Sequence, residues 1–128
     1  MYTLVLCLFI ACLLPYFSKI PLALEMHKKG GYDNHNPRHQ QAILEGFGAR
    51  TLGAHLNSFE ALIIFTAAIT TALATHHYEL SMQYMALGFI VLRVIYNVCY
   101  WLDYAMLRST VWFFSMLCSL GILFGCLP

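Results

Sequence analysis

The chain has 128 residues, 60% of them hydrophobic and 10% charged, with a formal net charge of +1 and a mean hydropathy of +0.67. That balance excludes an ordinary water-soluble domain, in which roughly a quarter of residues are charged. It gives no footing for nucleic acid either, since there is no basic tail and no basic patch interleaved with aromatics.

The apolar stretches predict one all-α membrane domain over residues 1–128, a bundle of four transmembrane helices with spans at about 2–24, 42–75, 82–102 and 110–127. The first, Tyr2–Leu24, lacks a basic lead and a small-residue cleavage pattern, so it reads as a retained helix kinked at Pro15 rather than a signal peptide. Turn residues crowd the segment from Lys29 to Arg38, where Pro37 biases Asn36 away from helix. This is the only loop long enough to fold over a site.

Lys19, Lys28, Lys29 and Arg38 cluster around that first loop, and Arg108 follows the third span, whereas the loop Thr75–Ser81 and both termini carry no Lys or Arg. By the positive-inside rule the termini are outside and the first and third loops cytoplasmic.

The second span is short by itself. Its continuous apolar part, Ala61–Ala74, rises about 21 Å at ~1.5 Å per residue, so crossing ~30 Å of hydrocarbon draws several preceding residues into the membrane boundary. Those residues are polar: Arg50, His55, Asn57 and Glu60. At ~100° per residue, Gly46, Arg50, Gly53, Asn57 and Glu60 share one face and His55 points nearly opposite, as a helix-packing histidine. On the third span Arg93, Tyr96, Tyr100 and Tyr104 follow helical spacing and form a second polar stripe. Gly46, Gly48 and Gly53 permit close helix approach.

Two readings fit these stripes. In the structural one, Arg93 and Glu60 form a buried ion pair; in the functional one, the stripes hold a ligand between them. Arg50, Arg93 and Arg108 oppose only Glu60, an excess of about two positive charges that favours a small zwitterionic acid with more carboxylate than amine. Asp103 reduces the excess if it faces inward. Trp101 and Trp112 sit near helix ends, as interface anchors do. The cysteines Cys7, Cys12, Cys99, Cys118 and Cys126 fall inside spans without close pairing, so neither disulfides nor zinc are indicated. His35 and His39 stand in the turn-rich loop without a cysteine partner, so no metal site is indicated there, and His76 and His77 read as solvated loop residues.

The segment Tyr32-Asp-Asn-His-Asn-Pro-Arg38, the pattern Arg50-x6-Asn57-x-x-Glu60 and the pattern Arg93-x-x-Tyr96-x3-Tyr100 together resemble the MAPEG family, the membrane-associated proteins of eicosanoid and glutathione metabolism, and most closely its short prokaryotic branch. The likeness spans nearly the whole chain. It implies a homotrimer of four-helix protomers in a bacterial inner membrane, with a glutathione site at each subunit interface, open to the cytoplasm and reached by lipophilic molecules from the bilayer. Glutathione would be the co-substrate, with no metal. By position, Arg50, Asn57, Glu60, Arg93, Tyr96 and Tyr100 match the family's glutathione contacts, and Arg38 is a candidate loop contact. Arg108 matches the arginine that stabilises the thiolate, and Tyr100 is a candidate proton donor. Two positions depart from the eicosanoid-type pattern: Ala61 follows the glutamate where those enzymes often carry tyrosine, and Glu45 stands five residues before Arg50 rather than beside it.

The expected function is therefore a glutathione transferase or peroxidase acting on lipophilic electrophiles. The alternative is a non-catalytic trimeric module that binds a lipid or another small acid. Conduction along the stripes is disfavoured, because no acid or base chain continues through Ile63–Ala74 or Leu80–Leu92.

Overall fold

In a computed structural model, which describes residues 1–127, the chain forms α1 (Tyr2–Lys28), α2 (Pro37–Ala42), α3 (Phe47–Ala74), α4 (Leu80–Trp101) and α5 (Ala105–Gly125). All but α2 are long and apolar enough to cross a membrane. They run antiparallel in sequence order, α1 packing chiefly on α3 and α4 on α5, while α3 touches every other helix.

α1 passes without interruption through Pro15 and Pro21. Each proline removes one backbone donor from the ladder, a loss that packing against neighbouring helices makes tolerable at membrane depth. At this end of the bundle the Thr3 hydroxyl donates to Gln83 Oε1 at 2.8 Å, joining the start of α1 to the start of α4. The Gln83 amide in turn donates to the Tyr78 carbonyl at 2.9 Å, closing the α3–α4 turn.

Lipid is as apolar as leucine, so helices in it associate through close packing and polar contacts rather than hydrophobic transfer. The interior follows that logic. A large apolar cluster joins Leu4, Cys7 and Ala11 to Phe65, Ala68, Ile69 and Ala72, with Ala86, Phe89 and Ile122 completing it. Its alanines bring the helices close, and Phe65 stacks on Phe89 with ring centroids 3.9 Å apart. A smaller cluster, Leu22, Met26 and Leu44, lies at the opposite end. Between them is a buried polar layer that includes Ser18, Thr51, His55, Ser58, Arg93 and Asn97.

Several boundaries differ from the sequence expectation. The second span does not begin at residue 42: a break at Ile43–Gly46 separates α2 from α3, because Gly46 adopts φ 56°, ψ −123°, outside any helix. Gly46 therefore leaves the polar face assigned to it. The first connection also contains α2, which the turn-rich composition concealed. Pro37 occupies the first helical turn, where its fixed φ is an advantage. Just before it, Asp33 Oδ1 accepts the amides of His35 and Asn36 at 2.9 and 3.0 Å. Gln40 then pins the segment down: its amide donates to the carbonyls of Gly31 at 2.7 Å and Met26 at 3.1 Å, and its oxygen accepts from the Asp33 amide at 2.9 Å.

The last helix starts at Ala105 rather than 110, since the Arg108 amide already bonds the Tyr104 carbonyl at 2.9 Å. Asp103, at φ 64°, makes the sharp reversal that lets Leu102–Tyr104 suffice as the α4–α5 link. Arg108 thus stands in the first turns of α5, pointing back toward α4.

Candidate functional site

The site begins with Arg93, whose side chain is almost fully enclosed at 1% exposure. Its Nη2 donates to Asn57 Oδ1 at 2.7 Å and to the Asn57 carbonyl at 3.3 Å. The Asn57 amide nitrogen then donates to Glu60 Oε2 at 2.8 Å. The direct Arg93–Glu60 ion pair expected as the structural reading is not formed. Asn57 relays between them, offering its oxygen to the cation and its N–H to the anion. The carboxylate stays at the exposed surface of α3 rather than inside the protomer.

Behind this relay, Asn97 donates to the Arg93 carbonyl at 3.1 Å and accepts from the Ser58 hydroxyl at 3.4 Å, a hydroxyl that also bonds the Ala54 carbonyl at 2.9 Å. Neither Asn97 nor Ser58 stood out in the sequence. Both lie one residue off the stripes, where the angular count turns them toward α1 and the bundle interior.

The Arg93 guanidinium lies 4.1 Å from the Tyr96 ring centroid, and the Arg108 guanidinium 4.3 Å from that of Tyr100. Each is a cation over an aromatic face. The tyrosines meet edge to face at 5.7 Å. Gly53 explains how Tyr100 reaches α3: a Cβ built there would overlap the tyrosine hydroxyl.

These groups open onto a cleft of ≈ 520 Å³ among α3, α4 and α5, lined by Asn57, Tyr96, Tyr100, Arg108, Ser109, Trp112 and Phe113. Its volume suits a small-molecule guest, and among the described residues Arg108 makes no ion pair. Sequence reasoning missed the α5 wall. Trp112, read as an interface anchor, also lines the cleft, because Arg108, Ser109, Trp112 and Phe113 share a helical face; their spacing was the available signal.

The remaining predicted site residues lie outside this lining. Arg50 sits at the cytoplasm-side end of α3 as the topology was read, its Nη1 3.9 Å from Asp103 Oδ2 and its Nε donating to the Trp101 carbonyl at 3.4 Å. Asp103 is exposed rather than inward-facing, and it lies near Arg50 alone. Arg38 is exposed on α2 and does not line the cleft. Tyr104 falls off the α4 stripe because that helix ends at Trp101, leaving the residue 58% exposed. Trp101, at the end of α4, keeps its indole nitrogen buried without a partner. His55 does pack helices, its Nδ1 lying 2.8 Å from the Pro15 carbonyl.

A sequence profile of the MAPEG family matches residues 3–128. The chain belongs to the MAPEG family. It is therefore an all-α integral membrane protein, related at family level to the proteins of glutathione and eicosanoid metabolism. No curated protein and no solved structure matches it. In this MAPEG chain the α3 and α4 stripes meet as the Arg93–Asn57–Glu60 relay, and α5 supplies the cation that faces the cleft.

Proposed function

We propose that the cleft binds glutathione, that Arg108 holds its sulfur as thiolate, and that the thiolate attacks a lipophilic electrophile or hydroperoxide arriving through the bilayer. The observation that carries this reading is the Arg108 guanidinium, half-buried at the cleft, set over Tyr100 and without a carboxylate partner among the described residues. A cation so placed awaits an anion.

The chemistry of the lining agrees with the guest. Glutathione has two carboxylates, one ammonium, amides and a thiol, and the cleft offers a guanidinium, two phenols and the Asn57 amide, with the Glu60 carboxylate alongside. Glu60 and Asn57 suit the ammonium end, and Arg50 at the rim adds attraction for a carboxylate. Trp112 and Phe113 give an apolar wall on α5, against which a lipophilic partner fits. Tyr100 is the proton donor of this scheme: it lines the cleft, and its hydroxyl makes no hydrogen bond to the described residues.

An ordinary thiol titrates near ~8.5 and is only a few per cent ionised at neutral pH. Lowering that value by ~1.5 units needs about 2 kcal/mol of preference for the thiolate, within reach of one fixed guanidinium in a partly dry cleft. Attack by sulfur on a carbon electrophile expels the leaving group and forms a thioether. Attack on a hydroperoxide gives an alcohol and a sulfenic acid that a second glutathione converts to disulfide and water.

The cleft is walled by α3, α4 and α5 and open on its remaining side, so we further propose a homotrimer in which a neighbouring protomer completes it. All seven Lys and Arg residues lie toward the end bearing the first connection, which supports a cytoplasmic opening with both termini outside; a bacterial inner membrane is the proposed location.

The test uses detergent-purified protein, with native mass spectrometry for the assembly and thermal melts with and without millimolar glutathione. Glutathione should raise the melting temperature. Arg108→Ala should keep most of that shift while the thiolate absorbance and the conjugation of a chloronitrobenzene probe fall by roughly 30-fold, the equivalent of ~2 kcal/mol. No shift and no conjugation together would sink the proposal and leave the non-catalytic module as the better account.

A further inference from the structure

On the opposite side of α4 from the cleft, a groove of ≈ 290 Å³ lies between α1 and α4. Leu14, Phe17, Val94 and Val98 form its apolar walls, and Ser18 and Trp101 also line it. Both of these carry a buried polar atom, Ser18 Oγ and Trp101 Nε1, with no hydrogen-bond partner. Ser18 is only 2% exposed.

Among the described residues only Arg93 Nη1 and Ser119 Oγ share this lack of a partner, and neither residue lines the groove. The buried hydroxyls of Thr51, Ser58 and Ser115 all bond back to carbonyls of their own helices, at 2.7, 2.9 and 2.8 Å, the habitual solution for such residues in helices. Ser18 does not. An enclosed donor left unmatched is costly, and buried polar groups nearly always find a partner.

The partner's chemistry follows from the lining. An indole N–H only donates, so the guest must present an acceptor oxygen. No cation lines the groove, which argues against a carboxylate or phosphate at that point and for a neutral carbonyl. Apart from the Asn97 side chain, already engaged with the Arg93 carbonyl and the Ser58 hydroxyl, the rest of the wall is hydrocarbon. Trp101 is also the last residue of α4, at the depth where the apolar core of a bilayer gives way to its ester groups. We infer that this groove is a lipid site: it holds one acyl chain of a membrane glycerophospholipid, whose ester carbonyl accepts hydrogen bonds from Trp101 Nε1 and the Ser18 hydroxyl. The site is separate from the cleft and does not depend on glutathione binding.

Trp101 reports on its own occupancy. In a Trp112→Phe background it is the sole indole, since the chain has 2 tryptophans. That protein is reconstituted in nanodiscs of diether phosphatidylcholine and titrated with a brominated diester phosphatidylcholine, which quenches indole fluorescence on contact. Saturable quenching at low mole fraction is expected, with a brominated diether lipid binding about five- to tenfold more weakly for each hydrogen bond lost. Ser18→Ala should reduce the diester preference by a similar factor while the melting temperature stays level. Val98→Phe, which fills the groove, should remove the saturable component. Quenching that rises in simple proportion to mole fraction, equal for the two lipids, would mean annular contact only and overturn the site. So would a cross-link between protomers through Val98→Cys, because a second copy of the chain would then occupy the groove.

Discussion

Around Phe65 and Phe89 the bundle is closed: the rings stack at 3.9 Å, and Ala68, Ala72 and Ala86 are wholly buried against their neighbours. Around Tyr100 and Arg108, by contrast, a cleft of ≈ 520 Å³ remains among α3, α4 and α5. The difference comes from what fills the contact positions. In the closed half they are mostly small or flat apolar residues that interdigitate at interior density. In the open half they are long polar side chains that must satisfy directional bonds, and satisfying them fixes separations that packing alone would close. The Arg93–Asn57–Glu60 relay acts as a spacer between α3 and α4 as much as a charge pair.

That comparison can be broken by perturbing each half in turn. Phe65→Ala removes a ring from the closed half and should destabilise by about 3–5 kcal/mol, read as a lower midpoint in denaturant or heat. Glutathione affinity of the folded fraction should be unchanged. If affinity falls in step with stability, the halves are one cooperative unit rather than two. Arg93→Ala should cost somewhat less, about 3 kcal/mol for the lost charged hydrogen bonds and the stranded Asn57 acceptor, yet abolish glutathione-dependent stabilisation. Arg108→Ala should leave stability nearly alone and lower conjugation alone. Together the three substitutions separate scaffold, spacer and reagent.

How much of this was legible in the sequence differs by region. Apolar length announced the membrane helices, and the 3.6-residue period correctly set His55 apart from Asn57, because both signals are properties of a single helix. The relay was legible as to its members but not its wiring: an angular count puts Asn57, Glu60 and Arg93 near one another without saying that the amide, being shorter and closer to α4, intervenes between the charges. The α5 wall was overlooked because hydropathy treats Trp112 and Phe113 as membrane-facing wherever they occur. Asp103 could not be assigned, since its direction depends on a reversal with φ 64° that no periodicity encodes. Short α2 was hidden for a related reason: its stability rests on Gln40 bonding Gly31 and Met26 across the loop, which is tertiary information.

The smallest change in stability should come from Gly53→Ala, and it is the sharpest probe of the open half. Two effects oppose each other. Alanine favours helix over glycine by about 1 kcal/mol, but its Cβ would meet the hydroxyl and ring end of Tyr100, so the tyrosine must rotate away from α3. Net stability should therefore move by less than about 1 kcal/mol in either direction. The cleft should respond more strongly, because Tyr100 carries Arg108 on its ring at 4.3 Å and any displacement of the one shifts the other. Conjugation should fall severalfold while the melting temperature hardly changes. Tyr100→Phe with Gly53 kept leaves the ring in place under Arg108 and removes only the hydroxyl, so it should retain glutathione binding while remaining slow if the phenol supplies a proton. Retention of both binding and rate would remove Tyr100 from the chemistry and leave it as the support on which Arg108 rests.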